Sequence, residues 1–136
     1  MYKHILVAVD GSDNSLRAVQ DAVNVAKEQS LVELLFVGST EAIASDVFKA
    51  GTLDNLHESY KAQFTREIIA VKQHPNTKIT IENGEAGKTI TKYANSNAVD
   101  LVVLGCRGLT AMQEMVFGSV STYVLKNVNC STLVVK

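Results

Sequence analysis

Three glycines and a serine near the C-terminal end, Gly105, Gly108, Gly118 and Ser119, fall in the spacing G-x2-G-x9-G-S. Gly105 closes an apolar run, Leu101-Val102-Val103-Leu104, that follows Asp100. Gly118 opens a stretch of helical character from Ser119 to Lys126. A strand that leads through glycines into a helix start is built for an anion, phosphate above all. Glycine lets the backbone come close to the charge and adopt positive φ. The free N–H groups and the positive dipole end of the following helix then face that anion. The hydroxyls of Ser119 and Ser121 can add donors there. Arg107 can reach the same anion and reads equally as an exposed loop cation.

Other chemistry is weaker in this chain. In the blander reading, Gly105 and Gly108 are turn glycines and Ser119 a helix cap, but turns need no fixed spacing. Gly84-Glu85-Ala86-Gly87-Lys88-Thr89 ends like a P-loop, yet that loop needs G-x4-G-K-[ST] and residue 82 is Glu82. Gly84 is therefore expected to make a turn and Lys88 to lie on a solvated helix face. Asp10 ends an apolar run as a phosphoacceptor aspartate would, or caps the helix after it. The third strand, however, ends in Glu82-Asn83-Gly84 and the chain stops at Lys136, without the partners a phosphoreceiver wants. No G-x-G-x-x-G follows the first strand. Cys106 beside Arg107 is either a thiol made reactive by a cation or a small residue tolerated in a turn.

These residues need a scaffold, and the hydrophobic pattern supplies one. Ile5 to Val9 is apolar without alternation, as in a strand covered on both faces. Asp10-Gly11-Ser12 breaks it, Ser12 or Asp13 can cap a helix, and Ala18, Ala22, Val25 and Ala26 recur at helical spacing. Leu31 to Val37 is a second strand. Leu53, Leu56, Tyr60, Phe64, Ile68 and Val71 predict an amphipathic helix from about Phe48 to His74, stopped by Pro75. Lys78 to Glu82 alternates, a third and less buried strand. Ala86 to about Ser96 is a third helix, with Ile90 and Tyr93 inward. Asp100 to Leu104, Gly118 to Lys126 and Thr132 to Val135 complete a β-α-β-α-β-α-β-α-β pattern. Such alternation implies a parallel sheet. Ligands bind such sheets at the carboxyl ends of the strands, where strand order reverses. An order of 3-2-1-4-5 puts the reversal between the first and fourth strands, which end at Asp10 and Gly105.

Composition narrows the function. A chain of 136 residues, 46% hydrophobic, suits one domain with a sizeable core, residues 1–136. A net charge of −1 with scattered Lys and Arg argues against a nucleic-acid surface. No apolar stretch approaches a membrane span, and the opening run ends at Asp10 without a cleavage site, so the cytoplasm is expected. Cys106 and Cys130 make no disulfide framework. His4, His57 and His74 show no zinc spacing and read as surface residues.

The chain strongly resembles the universal stress protein family, in its ATP-binding branch. Ile5 through Ser12, Gly84, Asp100 through Leu109, Gly118-Ser119-Val120-Ser121 and Leu133-Val134-Val135 carry the resemblance, which covers almost everything outside about Thr40 to His74. It implies a Rossmann-like, open five-stranded α/β sandwich. It also implies that Gly105, Gly108, Gly118, Ser119 and Val120 approach the ribose and phosphates of ATP, with Ser121 a further donor. Asp10 would meet a ribose hydroxyl or the adenine amino group. Ala8 and Val9 would form an apolar wall, Val37 would face adenine, and Gly84 and Ala86 would line its other side. Departures fall at Cys106, Leu104, Phe36 and Ser131, where relatives often carry serine, methionine, histidine and proline.

The expected function is a cytoplasmic stress-response protein that binds ATP, or AMP or ADP, with Mg2+ or Mn2+ on the phosphates. No machinery for efficient hydrolysis is visible. Gln113 and Glu114 lie between Leu109 and Phe117 with nothing to fix either near phosphate, so turnover should be slow or absent. A slow hydrolase or phosphotransferase using Asp10, and a nucleotide-free interaction module, are the alternatives. The apolar last strand should lie at an open edge, which invites pairing. The resemblance implies a homodimer through it.

Overall fold

The computed structural model describes residues 1–38, 62–106 and 118–136. The elements are β1 (His4–Val9), α1 (Asp13–Val25), β2 (Leu31–Gly38), α2 (Thr65–Val71), β3 (Thr77–Asn83), α3 (Ala86–Ser96), β4 (Leu101–Gly105), α4 (Ser119–Asn127) and β5 (Ser131–Val135). All strands are parallel, in the order β3-β2-β1-β4-β5. The strand order reverses between β1 and β4, as expected.

The unbroken apolar runs follow from burial on both faces. Ile5, Val7 and Val9 of β1 pack with Val32, Leu34 and Phe36 of β2 against Ala18, Val19 and Ala22 of α1. The alternate residues Leu6, Leu35, Val102 and Leu104 pack on the other face against Ile90, Ala94 and Val124 of α3 and α4. Successive side chains in a strand point to opposite faces, so each strand feeds both cores. Ser12 caps α1, its hydroxyl accepting from Ser15 N–H, and Asp13 lies in the first turn. Val25, expected inward, is 41% exposed because the helix ends there.

The predicted helix from Phe48 to His74 is corrected in its described part. Ala62 and Gln63 are helical, Phe64 is a turn, and α2 ends at Val71. Phe64 leaves helical geometry at φ −113° and ψ 32°, and its ring stacks on Phe36 at 4.4 Å. Tertiary packing at Phe64 interrupts the helical spacing. Leu53, Leu56 and Tyr60 lie outside the described residues.

Two histidines are also corrected. His74 is 7% exposed, with its Nε2 2.5 Å from the Ser30 carbonyl. His4 donates from Nε2 to Glu33 Oε1 at 2.6 Å. Glu33, fully buried in β2, also accepts from the Thr80 hydroxyl and from the Tyr93 hydroxyl, the latter at 2.5 Å. Lys78 Nζ lies 3.8 Å from the same carboxylate. Burial pushes the Glu33 carboxyl up, but these bonds and the Lys78 charge outweigh it and hold the pKa at about 2. Burial, followed by the bond to Glu33, pushes the Tyr93 phenol up. His57 lies outside the described residues.

Candidate functional site

A crevice of about 270 Å³ opens at the carboxyl ends of β1 and β4. Ala8, Val9 and Asp10 line it from β1 and the turn after it, and Val37 from β2. Gly105, Gly118, Ser119, Val120 and Ser121 line it from the opposite side. The sequence therefore placed these residues in one cleft. Arg107 and Gly108 lie outside the described residues, as do Gln113 and Glu114. Ala86 lines the crevice, whereas Gly84 is not among its lining residues.

The crevice is two-sided. Leu35, Val37, Ala86, Ile90 and Leu104 make an apolar wall. The other end is polar, and its main feature is the start of α4. Gly118 is the N-cap, with no side-chain cap bond. Its N–H donates to the Cys106 carbonyl, and its carbonyl accepts from Thr122 N–H. The first-turn N–H groups thus have no capping side chain from Gly118, and they belong to residues that line the crevice. Ser119 is not the cap of the blander reading. Ser121, expected as a ligand donor, donates its hydroxyl to the Gly118 carbonyl at 3.1 Å.

The glycines have different physical reasons. Gly118 has φ −60° and ψ 158°, which any residue can adopt. An added Cβ would meet Cys106 O at 3.6 Å and Ser121 Oγ at 3.7 Å, ordinary contacts. Neither its backbone nor packing against the described residues requires glycine at 118, and its bareness leaves room in the crevice. At Gly105, by contrast, a Cβ would come within 2.8 Å of Asn14 Cβ and 3.2 Å of the Asn14 backbone. Close packing of α1 on the end of β4 requires that glycine. Gly105→Ala should therefore destabilise the fold by about 1–3 kcal/mol through overpacking. Urea denaturation will check this; an unchanged midpoint would contradict the packing argument. Gly84, at φ +137°, makes the turn into α3, and exposed Lys88 pairs with Glu85 at 3.5 Å. The G-K-T run therefore occupies a turn and a solvated helix face.

Asp10 does not cap α1. Its Oδ1 accepts from Ser12 N–H at 2.9 Å, across Gly11 at φ +84°. Its own N–H donates to Ser15 Oγ at 3.1 Å. Sequence reading missed Ser12 and Ser15 as crevice residues, although each lies within five residues of Asp10. It also missed Leu35 and Ile90. Leu35 shares the face of Val37 by strand alternation, and Ile90 follows Ala86 by one helical turn. Asp10 is the only charged group among the described lining residues. Among the described residues no cluster of three or more His, Cys, Asp or Glu is gathered for a metal ion. No described helix is long and apolar enough to cross a membrane.

The model of the Universal stress protein family matches residues 1–136. The chain belongs to the universal stress protein family. It is 30% identical over 149 residues to Universal stress protein YxiE of Bacillus subtilis, covering all of both chains. Its fold is similar to Universal stress protein UspA from Lactobacillus plantarum, with TM-score 0.79 and 27% identity over 99% of this chain and 98% of the other. More distant members share the fold. A universal stress protein solved in complex with cAMP has TM-score 0.73 and 21% identity over 98% and 96% of the two chains. A family member from Arabidopsis thaliana solved with AMP bound has TM-score 0.65 and 14% identity over 98% and 91%.

Proposed function

We propose that this chain binds an adenine nucleotide, ATP foremost, in the crevice between β1 and β4. It acts through that bound state as a cytoplasmic stress-response protein. The observation that carries the reading is the bare N-terminus of α4 at Gly118, which faces a crevice whose opposite wall is apolar. A nucleotide has the same two halves: a flat base for apolar surface and phosphates for free N–H groups. The cAMP and AMP bound to distant members suit the same reading.

Ala8, Leu35, Val37, Ala86 and Ile90 would take the base. The N–H groups of Ser119, Val120 and Ser121 would take phosphate, with Gly105, Gly108 and Arg107 nearby in sequence. No Lys or Arg stands among the described lining residues. Mg2+ or Mn2+ would neutralise the charge of a bound triphosphate. On this reading the nucleotide is held as a signal and hydrolysis is slow or absent. The strand β5 at the sheet edge, with Thr132, Leu133 and Val134 half-buried, would pair with a second copy of the chain.

Calorimetric titration of nucleotide-stripped protein with ATP, ADP, AMP and cAMP, with and without Mg2+, tests the reading. Saturable binding at one site per chain is expected, with ATP strengthened by Mg2+. Absence of binding by all four would leave the nucleotide-free interaction module.

A further inference from the structure

Two helices bound the crevice, α3 with Ala86 and Ile90 and α4 with Val120 and Ser121. One stripe of α3, formed by Gly87, Thr91 and Asn95 at spacings of four, faces α4. Asn95 clasps α4 at the end away from the crevice. Its Nδ2 donates to the Asn127 carbonyl at 3.3 Å, and its Oδ1 accepts from Asn129 N–H at 2.9 Å. Thr91, next along the stripe, is buried with its hydroxyl unpaired among the described residues. At the crevice end, buried Gly87 packs under Tyr123. A Cβ at Gly87 would stand 3.2 Å from each of Tyr123 Cβ, Cγ and Cδ1. Glycine is a poorer helix former than alanine, so this close packing is the reason for glycine in the first turn of α3.

Gly87 follows Ala86 directly, and Tyr123 stands about one turn beyond Val120. Their contact therefore fixes how closely the apolar wall on α3 approaches the start of α4. A side chain at 87 would displace its neighbour by a few tenths of an ångström. Rotation of the Tyr123 ring cannot relieve the contact at its Cβ, which moves only with α4. Asn95 holds the far ends together, so the displacement falls at the crevice end. We infer that Gly87 and Tyr123 are positioning residues that set the gap between the apolar wall and the start of α4, so that one ligand meets both at once. Neither lines the crevice, and both act through the helices that do. This rests on the nucleotide reading and adds to it the pair that fixes the span of the site.

The test titrates the full chain with AMP and with adenosine, which lacks the phosphate. In Gly87→Ala the ratio of AMP to adenosine affinity should fall about fivefold, because hydrogen bonds to a charged group weaken as that group is displaced. Gly87→Ala/Tyr123→Gly removes all three contacting atoms and should return the ratio to its wild-type value. Gly87→Ala/Tyr123→Ala removes two of the three and should restore part of it, so it serves if the first pair folds poorly. A ratio between two ligands does not follow the folded fraction, so loss of stability alone cannot produce this pattern. A ratio unchanged in Gly87→Ala, or a fall that neither double variant reverses, overturns the inference and leaves the nucleotide reading standing. Wild type that binds adenosine as tightly as AMP also overturns it. If wild type binds neither, the nucleotide reading fails with it.

Discussion

Acid should destabilise this protein by up to about 3 kcal/mol through Glu33 alone, and Glu33→Gln should abolish that part of the pH dependence. Glu33 sits in the middle of β2 with no solvent exposure, yet its carboxyl is held near pKa 2, below its ordinary 4.5. The folded state therefore binds this proton less readily than the unfolded chain. The stabilisation is fully present above about pH 4.5 and is lost as pH falls through about 2. Other carboxylates contribute to acid unfolding, so the informative quantity is the difference between wild type and variant. Glu33→Gln keeps the shape but removes the charge that His4, Thr80, Tyr93 and Lys78 surround. Wild type should exceed the variant by about 3 kcal/mol at pH 7, with the curves converging near pH 2. Urea denaturation at a series of pH values measures both. Parallel curves across that range would show that Glu33 is not held ionised by its partners.

Glu33 also marks where the sequence stops being legible. The apolar runs Ile5–Val9 and Leu101–Leu104 gave both strands that flank the crevice, because burial on both faces leaves no room for polar alternation. A glutamate between Val32 and Leu34 in a strand of that kind signals a buried charge. Its partners, however, lie 29, 47 and 60 residues away at His4, Thr80 and Tyr93. Periodicity carries no information about such distances, which is why His4 read as a surface residue. Helical spacing likewise cannot register that Phe64 stacks on Phe36 and breaks the helix.

The site was more legible than its reasons. The spacing of Gly105, Gly118 and Ser119 placed them in one crevice with Asp10, since strand ends at a reversal of order must converge. The reasons differ residue by residue. Gly105 answers to Asn14 of α1, a contact visible only once the helix is packed. Ser12 and Ser15 follow Asp10 closely, but a local ring of side-chain acceptors cannot be told from an ordinary helix cap without geometry. Glu33 is not among the crevice's lining residues, but it is tied to two that are. It precedes Leu35 on the same strand face, and Tyr93 follows Ile90 by one turn, so the buried charge ties down the strand and the helix that form the apolar wall.

Gly118→Asp should make the protein slightly more stable and remove anion binding. Gly118 is the N-cap of α4, in extended geometry that aspartate adopts freely. An aspartate there can accept from the first-turn N–H groups, improving on glycine by a few tenths of a kcal/mol. The new carboxylate takes the place and the donors offered to a phosphate. Two like charges about 4 Å apart near a surface repel by about 4 kcal/mol, so affinity for AMP or ATP should fall at least about 100-fold. Gly118→Ala separates charge from bulk. Among the described residues its methyl meets ordinary contacts at 3.6 and 3.7 Å, so stability should fall by no more than about 1 kcal/mol, the disadvantage of alanine as an N-cap, while affinity drops by a smaller factor. Thermal unfolding and nucleotide titration of both variants measure the two quantities side by side. Opposite signs for Gly118→Asp are hard to obtain from misfolding, which lowers both. If affinity survives in Gly118→Asp, the phosphate lies elsewhere and α4 has no part in holding it. If stability falls instead, the start of α4 is not the free helix end that its geometry describes.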